Sequence, residues 1–381
     1  MKICIALTLT FCAALLTSGC TSTDIKAEEK GLDHIERNFN ATAGGHLTLV
    51  SEFGAIDVQT ADQDQVTVVV SKSTKSLKKA AQQALADFQV AFITEDADPH
   101  IFDEFKESAE MPIHLSPPPE ETDLRIEGRF GKGQKHWRKV LGKLDIRFRV
   151  TVPKRYNLDL LTQGGHITVD DLDGTLRART AGGHLRFGQI TGPVSGHTSG
   201  GHITLAACEN LVYLRTSGGN IEVVDVKGDV TARTSGGNLR FGDIHGTLIG
   251  RTSGGSIKVA SCTGGAEVRT SGGSISLQNV GGDVNAKTSG GSIKTTITSQ
   301  LTGDCSLHTS GGSITATLIP NIAIDVDAKT SGGSVSTDFV VESLIQGKVP
   351  KNRLEGRING GGPRLKLKTS GGSIHLKQGD G

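Results

Sequence analysis

The sequence predicts an all-β chain: a parallel β-solenoid, a two-sheet β-roll or β-helix of 18-residue coils, with a small α/β cap at its N-terminal end. Three observations carry that prediction. Thr-Ser-Gly-Gly or a close variant returns at a fixed interval. Within each interval apolar residues stand two apart with polar residues between them, the period of a strand with one buried face. No stretch inside an interval is long enough for a helical crossover, so the repeats must stack on one another.

The chain opens with Lys2 and the apolar run ICIALTLTFCAALL, the pattern of a signal peptide over residues 1–19. The run is too short to remain in a bilayer as a spanning helix. It ends in LLTSGC, which resembles the lipobox of bacterial lipoproteins. That resemblance implies cleavage before Cys20 and acylation of its thiol, palmitate included, with anchoring by two or more chains. Residues 20–34 are polar and read as a lipidated tether. No other segment is apolar enough to cross a membrane. The expected location is therefore the bacterial envelope, with the body held at a membrane face. Thr21 after Cys20 fits the outer membrane.

Residues 35–155 read as the cap. HLTLV, AIDVQ and QVTVVVS, within 43–70, alternate as strands do. SLKKAAQQALADF, 76–88, is the one helical pattern. Residues 95–123 are acidic and hold SPPPEE, a loop. GKGQKHWRK, 131–139, is basic and carries the only Trp. KLDIRFRVTVP, 143–153, is a strand leading into the first coil. A cap shields a sheet edge that would otherwise invite aggregation.

The solenoid spans 156–381. Its threonines are Thr162, Thr180, Thr198, Thr216, Thr234, Thr252, Thr270 and Thr288, each 18 residues after the last; Thr309 and Thr330 follow at 21 and Thr369 at 39. An earlier copy, TAGGHL, begins at Thr42. Counted from each threonine, positions +5, +7, +10, +14 and +16 are apolar: Ile203, Leu205, Cys208, Val212 and Leu214 in one coil. The threonine shares the inward face, where its hydroxyl is expected to bond the backbone of the corner. Glycines at +2 and +3 form one turn. The other centres on +12, where Gly, with Asn210 as its one substitute, suggests a positive φ. Phe187 shares a coil with Gly196, and Phe241 with Gly250, so a large residue meets the smallest. Stacked at about 4.8 Å, the coils make a rod roughly 50 Å long. An insert at 338–364 is placed to guard the far end, where SIHLKQ would otherwise be a bare last strand.

Without residues 1–19 the acids and bases balance, which argues against a dedicated nucleic-acid binder. Beyond Cys20 only Cys208, Cys262 and Cys305 then remain, so there is no disulfide framework. Cys208 and Cys262 lie three coils apart in one column, about 14 Å by strand spacing, beyond a disulfide's reach. All three read as small buried hydrophobes.

The layout resembles the DUF4097 family of toastrack-like β-repeat proteins, also labelled adhesins. The residues that carry the likeness are VTVPKRYNLDLLTQGGHITVDDLDGTLRARTAGGHL at 151–185, the repeated TSGGSI, and GGGPRLKLKTSGGSIHL near the C-terminus. It covers most of 40–377. The resemblance implies an envelope protein and carries no established active site. The family's typical Ser-Gly-Asp-Ile is not matched, because His, Asn or Ser stands where that Asp would be.

Three features are candidate sites. The first is the outward row one residue before each threonine: Arg179, His197, Arg215, Arg233, Arg251, Arg269, Lys287, His308, Lys329 and Lys368. Cations at strand spacing repel one another unless an anionic polymer or nearby acids such as Glu222 and Glu267 relieve them. Without a ligand, such a row only guards register and solubility. The second is His166, His184 and His202, stacked at +4, with His46 at the matching place in the first copy. Imidazoles so spaced could hold zinc or copper, though a fourth ligand is missing and Asn220 continues the column, so no metal is assigned. The third is GRFGKGQKHWRK, which could touch a membrane surface or an acidic partner. It lacks the Lys-Ser/Thr of a phosphate-binding loop.

An enzyme would need paired carboxylates or a metal beside a walled groove. The coils are minimal, Tyr213 is the only clear outward aromatic, and no Gly-x-Ser-x-Gly elbow occurs. The reading is a lipid-anchored, non-catalytic binding or scaffolding module without a cofactor. It contacts the membrane through its lipid and an anionic glycan or envelope protein through its surface. The alternatives are a structural spacer or self-assembling envelope protein and, less favoured, a polysaccharide-active enzyme.

Overall fold

The computed structural model describes residues 34–94, 123–131, 139–344 and 350–379. The leader, Cys20 and the tether through residue 33 lie outside the described residues. So do most of the acidic stretch 95–123 and of the basic stretch 131–139.

Two long sheets, of 15 and 16 strands, face each other across a thin apolar core. We call them sheet A and sheet B. A coil enters sheet B, as in Leu176–Thr180, turns at the glycine corner, and continues in sheet A, as in Leu185–Ile190. The next coil repeats this one strand over, in parallel: Leu176 pairs with Val194 and Leu185 with Ile203. The inward columns expected from the sequence are buried, and so are the corner threonines. Phe187 reaches the space a side chain at Gly196 would occupy, 3.1 Å from where its Cβ would stand.

The glycines answer to stacking, not to an unusual backbone conformation. No glycine at +2 or +3 of the coils, and none at +12 from Gly192 onward, has a positive φ. The +12 expectation is thus corrected. A Cβ at Gly192 would lie 2.4 Å from the carbonyl oxygen of Gly174 in the coil before. A Cβ at the +3 residue Gly219 would lie 1.9 Å from Gly201 O. The +2 residue Gly218 is roomier, its nearest neighbour being 3.6 Å away. Parallel coils about 4.8 Å apart leave no room for a side chain pointed along the axis.

The N-terminal segment does not sit on the solenoid as a separate lid; it extends both sheets. In sheet B the strand His46–Ser51 pairs with Asn157–Thr162 and with Leu124–Phe130, both parallel, and Phe88–Thr94 closes the edge antiparallel. In sheet A, Ala55–Ala61 lies between Ile167–Val169 and Leu144–Pro153, followed by antiparallel Gln65–Thr74 and His34–Asn40. The helix Lys79–Ala86 buries Ala81 and Ala84 and packs against Gln65–Thr74 and Phe88–Thr94. Strand pairing also corrects the early copy at Thr42. The residue in register with Thr162 is Ser51, and the carbonyl that Thr162 reaches is Gly54 O, at 2.9 Å. TAGGHL resembles the corner in sequence but leads into sheet B rather than sheet A.

At the far end the spatial order departs from the chain order. Arg364–Lys368 lies between Cys305–His308 and Ile324–Lys329 in sheet B. Ile374–Gln378 lies between Ile314–Leu318 and Val335–Thr337 in sheet A. The last two strands thus intercalate between two earlier coils, so SIHLKQ is an interior strand and not a bare edge. Arg353–Ile358 covers the outer side of Ile324–Lys329 antiparallel. The return turn, Asn359–Gly361, has φ values of 49°, 88° and 85°, a left-handed path that glycine and asparagine adopt readily. Asn359 Nδ2 donates to Pro320 O and Ile322 O, which pins that turn. The exposed edges are short: Val335–Thr337 in sheet A and Glu342–Ser343 in sheet B.

Candidate functional site

Two side-chain ladders bind the glycine corners, one buried and one exposed. Each threonine hydroxyl donates to the +3 glycine carbonyl of the neighbouring coil: Thr180 Oγ1 to Gly165 O, Thr216 to Gly201 O, Thr252 to Gly237 O, each 2.8 Å. It also accepts the N–H of its own +3 glycine, as Thr180 does from Gly183 at 3.3 Å. The ladder follows space and not sequence at the far end, where Thr369 bonds Gly312 O and Thr330 bonds Gly372 O.

The exposed ladder explains why +4 is His, Asn or Ser. His166 Nδ1, His184 Nδ1 and His202 Nδ1 accept the backbone N–H of His184, His202 and Asn220, each at 2.8 Å. Asn220 Oδ1 and Asn238 Oδ1 do the same for the coils after them, and serine hydroxyls continue the series. All three residue types offer a neutral acceptor at that reach. The imidazoles stack 4.8 and 5.0 Å apart, within 5° of parallel. Zinc–nitrogen bonds of about 2.0–2.1 Å would bring two ligating atoms within roughly 4.2 Å. Parallel rings hold like atoms farther apart than that, and Nδ1 is engaged. Among the described residues no three His, Cys, Asp or Glu side chains gather as a metal group. His184 is held below the ordinary histidine range by burial and by His166, His202 and Arg186. His46 does not join the column. It lies in sheet B, in register with Asn157, with both ring nitrogens buried and unpartnered.

The cation row is assembled as the spacing requires. In sheet B, Arg179, His197, Arg215, Arg233, Arg251, Arg269, Lys287 and His308 stand side by side in register, one per strand. Lys368 comes next and Lys329 after it, because the last strand intercalates. Glu267 bridges Arg251 at 2.7 Å and Arg269 at 3.3 Å. Glu222 plays no such part. It belongs to sheet A, on the opposite face, where it meets Arg240 at 3.5 Å. Among the described residues Arg215, Arg233 and Lys287 have no ion pair. Burial, then Arg179 and Arg215, lowers the half-buried His197. Burial, then Lys287, Lys368 and Lys366, lowers His308.

The thiols of Cys208, Cys262 and Cys305 are buried and free. Burial pushes Cys262 and Cys305 up to about 11, the reverse of a reactive thiolate.

Residues 149–377 match the family described as Toastrack DUF4097. The chain belongs to the Toastrack DUF4097 family. Three solved structures resemble this Toastrack chain. One, described as a putative cell adhesion protein from Clostridium sporogenes, is 9% identical, with 91% of this chain and 100% of that one covered at a TM-score of 0.19. A putative adhesin from Bacteroides fragilis is 12% identical, with coverage of 92% and 98% and a TM-score of 0.24. A putative adhesin from Parabacteroides distasonis is 10% identical, with coverage of 91% and 97% and a TM-score of 0.33. Neither the identities nor the TM-scores carry a ligand or an activity to this Toastrack chain. No curated protein matches it.

Proposed function

We propose that the protein is a non-catalytic, adhesin-like module of the bacterial envelope, lipid-anchored through Cys20, whose working surface is the outer face of sheet B. One observation carries this reading. From Leu176–Thr180 through Arg364–Lys368, the outward strand positions of that face hold a Lys or Arg on every strand but two, where His197 and His308 stand, and one acid, Glu267. The mature chain is close to neutral, so this face concentrates charge that the rest of the molecule balances. Such a surface attracts an anionic envelope polymer and would steer it along the solenoid axis. The adhesin labels of the structural neighbours agree with a binding role.

The test is a pelleting assay with the chain from residue 21, mixed with envelopes, purified wall polymer and lipopolysaccharide at low and physiological salt. Binding is expected, weaker at high salt, and lost when Arg215, Arg233, Arg251 and Arg269 are changed to Ser. A folded protein that sediments with nothing would sink the reading and leave a spacer as the better account.

A further inference from the structure

Among the described residues His46 is the one buried histidine, 8% exposed, and neither ring nitrogen has a hydrogen-bond partner. Every other described imidazole is partly or fully exposed. His46 opens the strand His46–Ser51, which lies between the solenoid strand Asn157–Thr162 and Leu124–Phe130. That strand therefore joins the N-terminal part of sheet B to the coils. The backbone at its start is firmly held. His46 N donates to Asp123 Oδ2 at 3.1 Å, and the buried Tyr156 donates its hydroxyl to the same oxygen at 3.3 Å. A Cβ at Gly45 would stand 1.8 Å from that oxygen, so glycine there lets the carboxylate in. Asn157 Nδ2 donates to Gly44 O at 2.9 Å. The imidazole alone has no hydrogen bond to hold it.

Charged groups stand around this ring on each neighbouring element. Asp123, Arg125 and Glu127 come with Leu124–Phe130, Asp159 with Asn157–Thr162, and Arg177 with Leu176–Thr180; Arg155 lies beside Gly44. Glu127 is committed to Arg125 at 3.1 Å and to Arg129 at 2.9 Å. Arg177 is 9% exposed, and its Nε has no hydrogen-bond partner. Burial, then Arg177, holds the His46 imidazole below its ordinary value of 6.5, and Asp123 offsets only part of this. A proton on the ring would add a second cation near a buried guanidinium, with no acceptor at either nitrogen. We infer that His46 is an acid-sensitive latch: its protonation expels the ring and loosens the joint between the N-terminal segment and the solenoid, while the later coils stay closed. The opened joint takes up its proton near 6.5, the closed joint only below that. Closure is therefore complete above pH 6.5 and weakens as pH falls from there toward the closed-state value. The latch works whether or not the outer face of sheet B binds a polymer.

The experiment follows amide hydrogen exchange in the chain from residue 21 at about pH 7.5 and about pH 5, corrected for the intrinsic effect of pH on exchange. Protection of His46–Ser51 and Leu124–Phe130 is expected to fall roughly tenfold across that span. Protection of Ile221–Val226, a strand of the solenoid without a histidine, should fall far less. His46→Gln and His46→Phe remove the titrating ring, and either should abolish the local acid response. His184→Asn should leave it intact, which separates the latch from the exposed imidazole column. The unmodified chain supplies a measurement that needs no variant: the ring proton resonances of His46 should titrate below 6.5. Unchanged protection of His46–Ser51 in acid, or a ring that titrates at 6.5 or above, overturns the inference. So does an acid response that persists in both His46 variants, that disappears in His184→Asn, or that is equally large at Ile221–Val226.

Discussion

The glycine corner and the outer face of sheet B run side by side along the same coils, and both repeat. They repeat for different reasons. At the corner every recurring residue has a neighbour that requires it. The +3 glycine has a carbonyl where a Cβ would go, the threonine bonds that carbonyl, and the +4 side chain accepts the next backbone N–H. On the face, Arg215 and Arg233 recur with no ion pair or side-chain hydrogen bond among the described residues to enforce them. A repeat demanded by stacking carries no information about a ligand. A repeat that costs self-repulsion and supports nothing in the fold is the better place to look for one.

Four experiments would break or sharpen that contrast. The largest effect is expected at Gly219. Gly219→Ala should destabilise the protein by about 3 kcal/mol or more, since its Cβ would meet Gly201 O at 1.9 Å. Gly218→Ala, with 3.6 Å of clearance, should cost no more than about 0.5 kcal/mol. Urea unfolding of the pair decides it, and equal losses would undo the stacking account. Next is Thr234→Val, which removes a buried donor to Gly219 O and an acceptor for Gly237 N–H. A loss of about 1–3 kcal/mol is expected, with most of it restored by Thr234→Ser.

Third is pH. His184 titrates below the ordinary histidine value of 6.5 because burial, His166, His202 and Arg186 disfavour its charge. His197 and His308 are lowered too. The unfolded chain therefore takes up protons before the folded one does. Stability should be full above pH 6.5 and drain as pH falls below it. A protonated Nδ1 would also face a backbone N–H, donor against donor. His184→Asn should keep the ladder, as Asn220 does, and flatten the pH dependence of the melting temperature. The smallest effect belongs to the face. Arg215→Gln with Arg233→Gln should leave stability within about 0.5 kcal/mol and raise it slightly at low salt. A large loss there would mean that the row is structural after all.

Much of the fold was legible because a period of 18 writes the inward columns directly into the sequence. Ile203, Leu205 and Cys208 could be placed without coordinates. The ends were not legible, because there the pairing partner is chosen by edge closure and not by period. Thr42 matched the motif and lay at the wrong corner, while Ser51 matched poorly and lay at the right one. His34–Asn40, Phe88–Thr94 and Leu124–Phe130 have no repeat to announce them. For the candidate site, every member of the row was readable, but the order of the last two was not, because Lys368 stands between His308 and Lys329. Glu222 was assigned to the wrong face because sequence proximity hides which sheet a residue joins. The reason for the +4 residue types was hidden too, since the N–H they serve belongs to the following coil.

The intercalated strands also bear on how the molecule is assembled. In a stack built strictly in order, losing the last residues removes the last rung and spares the rest. Here residues 364–378 are an inner rung, so truncation before Pro363 would leave a slot between Cys305–His308 and Ile324–Lys329. The coil at 324–337 must wait, or be held by Arg353–Ile358, until the chain doubles back to fill that slot. Completion of the far end is thus a late event requiring long-range closure, and an incompletely made chain would betray itself by exposing strand edges on both sides of the gap.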